Sequence, residues 1–164
     1  MVNGARTHEP TPGQTIGPFF GMSLPDPELT DLVTPDHPDA VLLTGLLLDG
    51  DAEPVPDGLI EVWQSTPNGG IRWGRCATEV SGRYRFRVLK DTDFVTLCVF
   101  ARGLTDKLIT RAYLTFAPDD ALWNSLPPVH RDTMRAIARG NERHFDIRLQ
   151  GPGETVFLTP RDDH

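Results

Sequence analysis

Five histidines, two cysteines, two tyrosines and a scatter of carboxylates are the groups in this chain that could ligate a metal or move a proton. Their spacing argues against both. His8, His37, His130, His144 and His164 include no H-x-H or H-x-x-x-H pair, and Cys76 and Cys98 stand far apart in separate strand-like runs. A protein metal site needs several imidazole, thiolate or carboxylate donors converging on one point, so no metal centre is expected from this chain alone. The cysteines read as packed, reduced thiols. Asp119 with Asp120 and Asp162 with Asp163 are sequence neighbours whose side chains point apart, and they read as solvated charge. There is no G-x-S-x-G elbow, phosphate loop or dinucleotide fingerprint. No catalytic residue is therefore assigned to this chain.

Arg102 resists so plain a reading. In FVTLCVFARG, alternation at period two places Phe94, Thr96, Cys98, Phe100 and Arg102 on one face and Val95, Leu97, Val99 and Ala101 on the other. A strand that is apolar on both faces is central and covered. An arginine at its end, followed at once by Gly103, either caps the sheet in solvent or presents a fixed guanidinium to a carboxylate.

The elements that must position these groups follow from patterning. VLLTGLLLD (41–49), LIEVWQS (59–65), GRCATEV (74–80), RYRFRVL (83–89), FVTLCVFAR (94–102), LITRAYLTF (108–116), HFDIRLQ (144–150) and ETVFLTP (154–160) are short β-type runs separated by turn residues. Ahead of them TPGQTIGPFF, with Pro12, Gly13, Gly17 and Pro18, can be neither regular helix nor central strand and must run extended along a surface. PDPELTDLVTPDHPD has room for one helical turn near Glu28 to Val33, while PDDALWNSL and VHRDTMRAIARG predict two short helices, the second stopped at Gly140. The expected fold is all-β, an antiparallel β-sandwich of about eight strands. An extended N-terminal arm occupies 1–40 and the sandwich domain 41–164, with a short helical excursion between Asp119 and Gly140.

Bulk properties narrow the partners. With 38% hydrophobic residues in 164, one domain can bury a core without disulfide or metal staples. The net charge is −7, and the 16 Lys and Arg form no basic run, which disfavours nucleic acid and anionic membrane. No signal-peptide pattern opens the chain, and no apolar stretch approaches the roughly 20 residues that span a bilayer, so a cytoplasmic location is expected.

Five stretches, TPGQTIGPFF, LIEVWQS, GRCATEVSGRYRF, FARGLTDKLITRAYL and HFDIRLQGPGETVFL, resemble the intradiol ring-cleavage dioxygenases, in the family's own order and across most of residues 11–158. The similarity is to members built from two related β-sandwich subunits, α and β, that act on protocatechuate. The arm, the FARG segment and the FDIRLQGPGETVFL ending look like the α type.

In that family ferric iron (Fe3+) is held on the β subunit by two tyrosines and an H-x-H pair. Here the loop after EVWQ is STPNGGIRWGR, without tyrosine, the K-P-G-x-Y segment is reduced to KDTD, and the H-x-H positions fall within a residue or two of Phe94 and Thr96. The resemblance thus implies that the iron sits on a beta subunit partner and that none is bound by this chain. It also implies that Thr15, Gly17 and Pro18 line the partner's substrate pocket, and that Arg102 supplies positive charge there. Protocatechuate, O2 and a higher-order αβ oligomer complete the implied partners. The residues alone leave a second reading open, a self-standing β-sandwich binding or carrier module, because a fold does not fix a function.

Overall fold

The computed structural model of the chain describes residues 11–17 and 19–159. After the arm and the short helix α1 (Phe20–Ser23) come β1 (Ala40–Leu48), β2 (Leu59–Ser65), β3 (Ile71–Ala77), β4 (Arg83–Leu89), β5 (Phe94–Phe100) and β6 (Leu108–Tyr113). Helices α2 (Ala121–Ser125) and α3 (Pro128–Asp132) follow, then β7 (Ile137–Arg139), β8 (Glu142–His144) and β9 (Ile147–Arg148). One sheet has the order β4-β1-β8-β7, with β9 also on β1, and the other has the order β3-β2-β5-β6.

Period-two patterning drives this arrangement. In β4, Tyr84, Phe86 and Val88 are buried while Arg83 and Arg85 face solvent. With Leu43 and Leu47 of β1, Ile60 and Val62 of β2, and Val95, Leu97 and Val99 of β5 they form the core between the sheets. Burying each such side chain stabilises the fold by about 1.5–3 kcal/mol. The β-sandwich expectation holds, with one sheet mixed: β1 pairs antiparallel with β4 but parallel with β8 and β9.

Four expected elements come out differently. HFDIRLQ divides into the end of β8 and β9: the Phe145 amide still donates to the Thr44 carbonyl of β1 at 2.8 Å, but its carbonyl and the Asp146 side chain serve other partners. The Phe145 carbonyl accepts the Tyr84 hydroxyl at 2.5 Å, and Asp146 Oδ1 accepts the Leu46 amide at 2.8 Å. This needs Gly45, since a Cβ there would sit 1.8 Å from the Phe145 oxygen.

VHRDTMRAIARG is helical only in its first turn. Met134 is fully buried beside Tyr113 and Trp123, and the Tyr113 amide donates to the Met134 carbonyl at 2.8 Å while the Ala136 amide donates to Tyr113 at 2.9 Å. These tertiary partners outbid the helix, and β7 follows. Gly140, at φ 59, is the turn of the β7–β8 hairpin and stops no helix. Among its described residues, 154–159, ETVFLTP forms no strand and contributes a single bridge, Leu158 to Ile109. The helical turn expected near Glu28 to Val33 is a 3-10 turn at Pro27–Thr30, capped by the Asp26 side chain on the Glu28 amide at 3.0 Å.

Candidate functional site

Strand β5 is buried through Val99 and Ala101, and the chain then turns out of the sheet. The Leu104 amide closes on the Ala101 carbonyl at 3.2 Å, with Gly103 at φ 90, a conformation that glycine adopts freely. The Gly103 amide points away from this turn and donates to Thr15 Oγ1 at 2.7 Å. Two residues earlier in the arm, the backbone at Gly13 lies close enough to Thr105 that a Cβ would approach its side chain to 3.2 Å. The extended arm is thus seated on the 101–107 turn.

Between arm and turn lies a cleft of about 190 Å3, walled by Gln14, Ile16, Phe100, Leu104, Thr105 and Lys107. Because the arm is extended, alternate residues face opposite ways. Gln14 and Ile16 line the cleft, while Thr15 reaches the turn. Gly17 has open space where a side chain would be, and Pro18 lies outside the described residues. Sequence reading missed Gln14, Ile16 and Lys107; the alternation of the arm was the available signal.

Arg102 sits one residue before the amide that Thr15 holds, so the two expected site residues meet at one turn. The guanidinium is mostly solvent-exposed, does not line the small cleft, and is bonded through Nε to Asp57 Oδ2. Of the two options left by the sequence, solvent or carboxylate, the structure has both, with one edge paired and the rest in water.

The opposite end of β5 carries the other polar cluster. Tyr113 donates its hydroxyl to Asp120 Oδ1 at 2.8 Å, Arg111 Nη1 donates to Asp120 Oδ2 at 3.0 Å, and the Trp123 amide at the start of α2 donates to Oδ1 at 2.7 Å. Asp120, read from sequence as solvated charge, is instead a helix cap and the anion of a semi-buried network. Its carboxyl lies below the usual carboxylate range: the bonds from Trp123, Tyr113 and Arg111 outweigh desolvation by burial, the largest single influence, which pushes the other way. Burial raises the Tyr113 phenol to about 12 and pushes the fully buried Tyr84 phenol well above its ordinary value.

A ferric ion has no fitting donor set among the described residues. It requires anionic oxygen and imidazole ligands, yet both phenols are held protonated and committed to protein acceptors. Of Phe94 and Thr96, where the resemblance led one to look for the family's histidines, neither is an imidazole, and the Phe94 ring is stacked 3.9 Å from the Arg111 guanidinium. His37 Nδ1 accepts the Asp39 amide, His144 pairs with Asp146, and no three His, Cys, Asp or Glu side chains converge among the described residues. Cys76 and Cys98 are free thiols whose pKa values burial raises, so they stay protonated.

No family model matches the chain. The protocatechuate 3,4-dioxygenase alpha chain of Pseudomonas putida is 32% identical over 90% of this chain and 95% of its own. The beta chain of the Burkholderia cepacia enzyme is 26% identical over 71% of this chain and 67% of its own. Among solved structures, the dioxygenase domain of a dioxygenase carbohydrate-binding protein fusion from Streptomyces sp. SirexAA-E superposes with a TM-score of 0.55. That match covers 88% of this chain and 100% of the domain at 22% identity, a likeness of fold. With an alpha chain matched at such identity along nearly its whole length, the protein belongs to the intradiol ring-cleavage dioxygenases, on the branch of the protocatechuate 3,4-dioxygenase alpha chains.

Proposed function

We propose that this chain is the iron-free alpha subunit of a protocatechuate 3,4-dioxygenase, and that it shapes the substrate pocket of a ferric beta subunit. The complex would cleave protocatechuate with O2 between its two hydroxyl-bearing carbons, giving 3-carboxy-cis,cis-muconate, and αβ pairs would assemble into a larger oligomer. The metal chemistry belongs to the partner. This chain's part is positioning and electrostatics, which act on rate by holding a reactant in a productive orientation.

The observation that carries this reading is the junction of arm and turn. Thr15 holds the amide next to Arg102, so a segment able to reach across to a neighbour is seated beside an arginine whose terminal nitrogens face solvent. On a chain of net charge −7 that arginine is a localised cation suited to a substrate carboxylate.

Co-expression with a protocatechuate 3,4-dioxygenase beta chain tests the proposal. The two should co-purify as an iron-containing complex that consumes O2 with protocatechuate, whereas the chain alone should purify without iron or activity. In the complex, Arg102→Ala should raise KM for protocatechuate about 10- to 100-fold, the loss of one charge-assisted hydrogen bond, with iron content unchanged. A monodisperse monomer beside the beta chain would overturn the subunit assignment and favour a free-standing binding module.

A further inference from the structure

We infer that Asp57 is the positioning residue for Arg102: it grips the guanidinium by Nε and so presents the Nη1 and Nη2 edge to the carboxylate of an aromatic substrate. The inference rests on the role of Arg102 proposed above, and extends it to a residue on a different strand connection.

Register builds the pair. Strands β2 and β5 are antiparallel with Leu59 opposite Phe100 as the last pair of the ladder, so the turn that holds Asp57 just before β2 and the turn that holds Arg102 just after β5 lie at the same end of the sheet. Both backbones are held. Next to Asp57, the Gly58 amide donates to Thr78 Oγ1 at 2.8 Å, and the Thr78 hydroxyl donates to the Val55 carbonyl at 2.7 Å. A Cβ on Gly58 would come within 2.3 Å of Leu47 Cδ2, so the segment is packed closely onto the core. On the other side, Arg102 is bracketed by buried Ala101 and by Gly103, whose amide Thr15 holds. A carboxylate on a fixed backbone therefore faces an arginine on a fixed backbone.

The way the two meet decides what the pair can do. A guanidinium offers two hydrogen-bonding edges, and one taken at Nε leaves the other free for a second carboxylate. Among the described residues, Asp57 is the only carboxylate in ion-pair reach of Arg102, whose side chain stays 61% exposed. Exposed ion pairs contribute little to stability, so the effect of this one lies in orientation. An arginine side chain held in advance loses less rotamer freedom when its ligand arrives.

The test uses the co-expressed complex carrying Asp57→Asn, Asp57→Glu, Arg102→Ala and the Asp57→Asn/Arg102→Ala pair. Asp57→Asn should raise KM for protocatechuate about tenfold while kcat and Tm stay near wild type, and Asp57→Glu should restore part of the loss. The Kd of 4-hydroxybenzoate, which carries the carboxylate, should weaken in step, and that of phenol should not. On the Arg102→Ala background, Asp57→Asn should add nothing. An unchanged or lowered KM in Asp57→Asn, with Arg102→Ala still raising it, would overturn the role of Asp57 and leave that of Arg102 standing. A neutral Arg102→Ala would sink both.

Discussion

At one end of β5, Arg111, Tyr113 and the Trp123 amide share the Asp120 carboxylate, with the Phe94 ring stacked on the arginine and Met134 closing the cluster. At the other end, Arg102 has a single carboxylate partner among the described residues and stands mostly in water, next to the Gly103 amide that the Thr15 hydroxyl accepts. The first arginine uses its charge internally, because a shielded carboxylate without partners would be costly. The second costs little to keep, stabilises little, and leaves donors for a ligand. One strand thus separates a closed polar network from an open one, and the difference lies in solvent access and in how many donors are already committed.

The contrast breaks most sharply at Asp120. Asp120→Ala should remove the α2 cap and strand Tyr113 and Arg111, lowering unfolding free energy by about 2–4 kcal/mol in denaturant titrations, while the assembled complex keeps its KM for protocatechuate.

Alkali should act next. The folded state favours the protonated Tyr113 phenol up to about 12, against an ordinary 10.0. An unfolded chain therefore gives up this proton first, so the stabilisation is complete below pH 10.0 and lost as pH rises toward about 12. Thermal melts across that window should show the decline, and Tyr113→Phe should remove part of it, with the buried Tyr84 supplying the rest.

The smallest effect should come from the open end. Thr15→Val should cost under about 1 kcal/mol, because water replaces the lost acceptor at an exposed amide. Hydrogen exchange at Gly103 should nonetheless quicken, and exchange at Tyr113 should not. Protection retained at Gly103 would mean that the arm is seated by something other than this hydroxyl.

Much of the sandwich was legible because its signal is local. Alternation in RYRFRVL and the two apolar faces of FVTLCVF mark one strand half-covered and another central, and the structure has both. Errors came where distant residues competed with local preference. The helix expected through Met134 yielded to hydrogen bonds from Tyr113, and the last expected strand kept one bridge. Asp120 looked solvated because its partners Arg111 and Tyr113 belong to another element. Cleft residues Gln14, Ile16 and Lys107 became neighbours only once the arm was laid on the turn.

By itself, the sequence determined the β-sandwich class and kept residues 11–17 out of helix and sheet, since period-two burial and proline and glycine restrictions are properties of residues and their near neighbours. Only the tertiary structure decided that Arg102 faces Asp57, that Thr15 holds the adjoining amide and that Asp120 is an internal anion. Those depend on strand register and chain crossing, which bring together groups as far apart as Thr15 and Gly103.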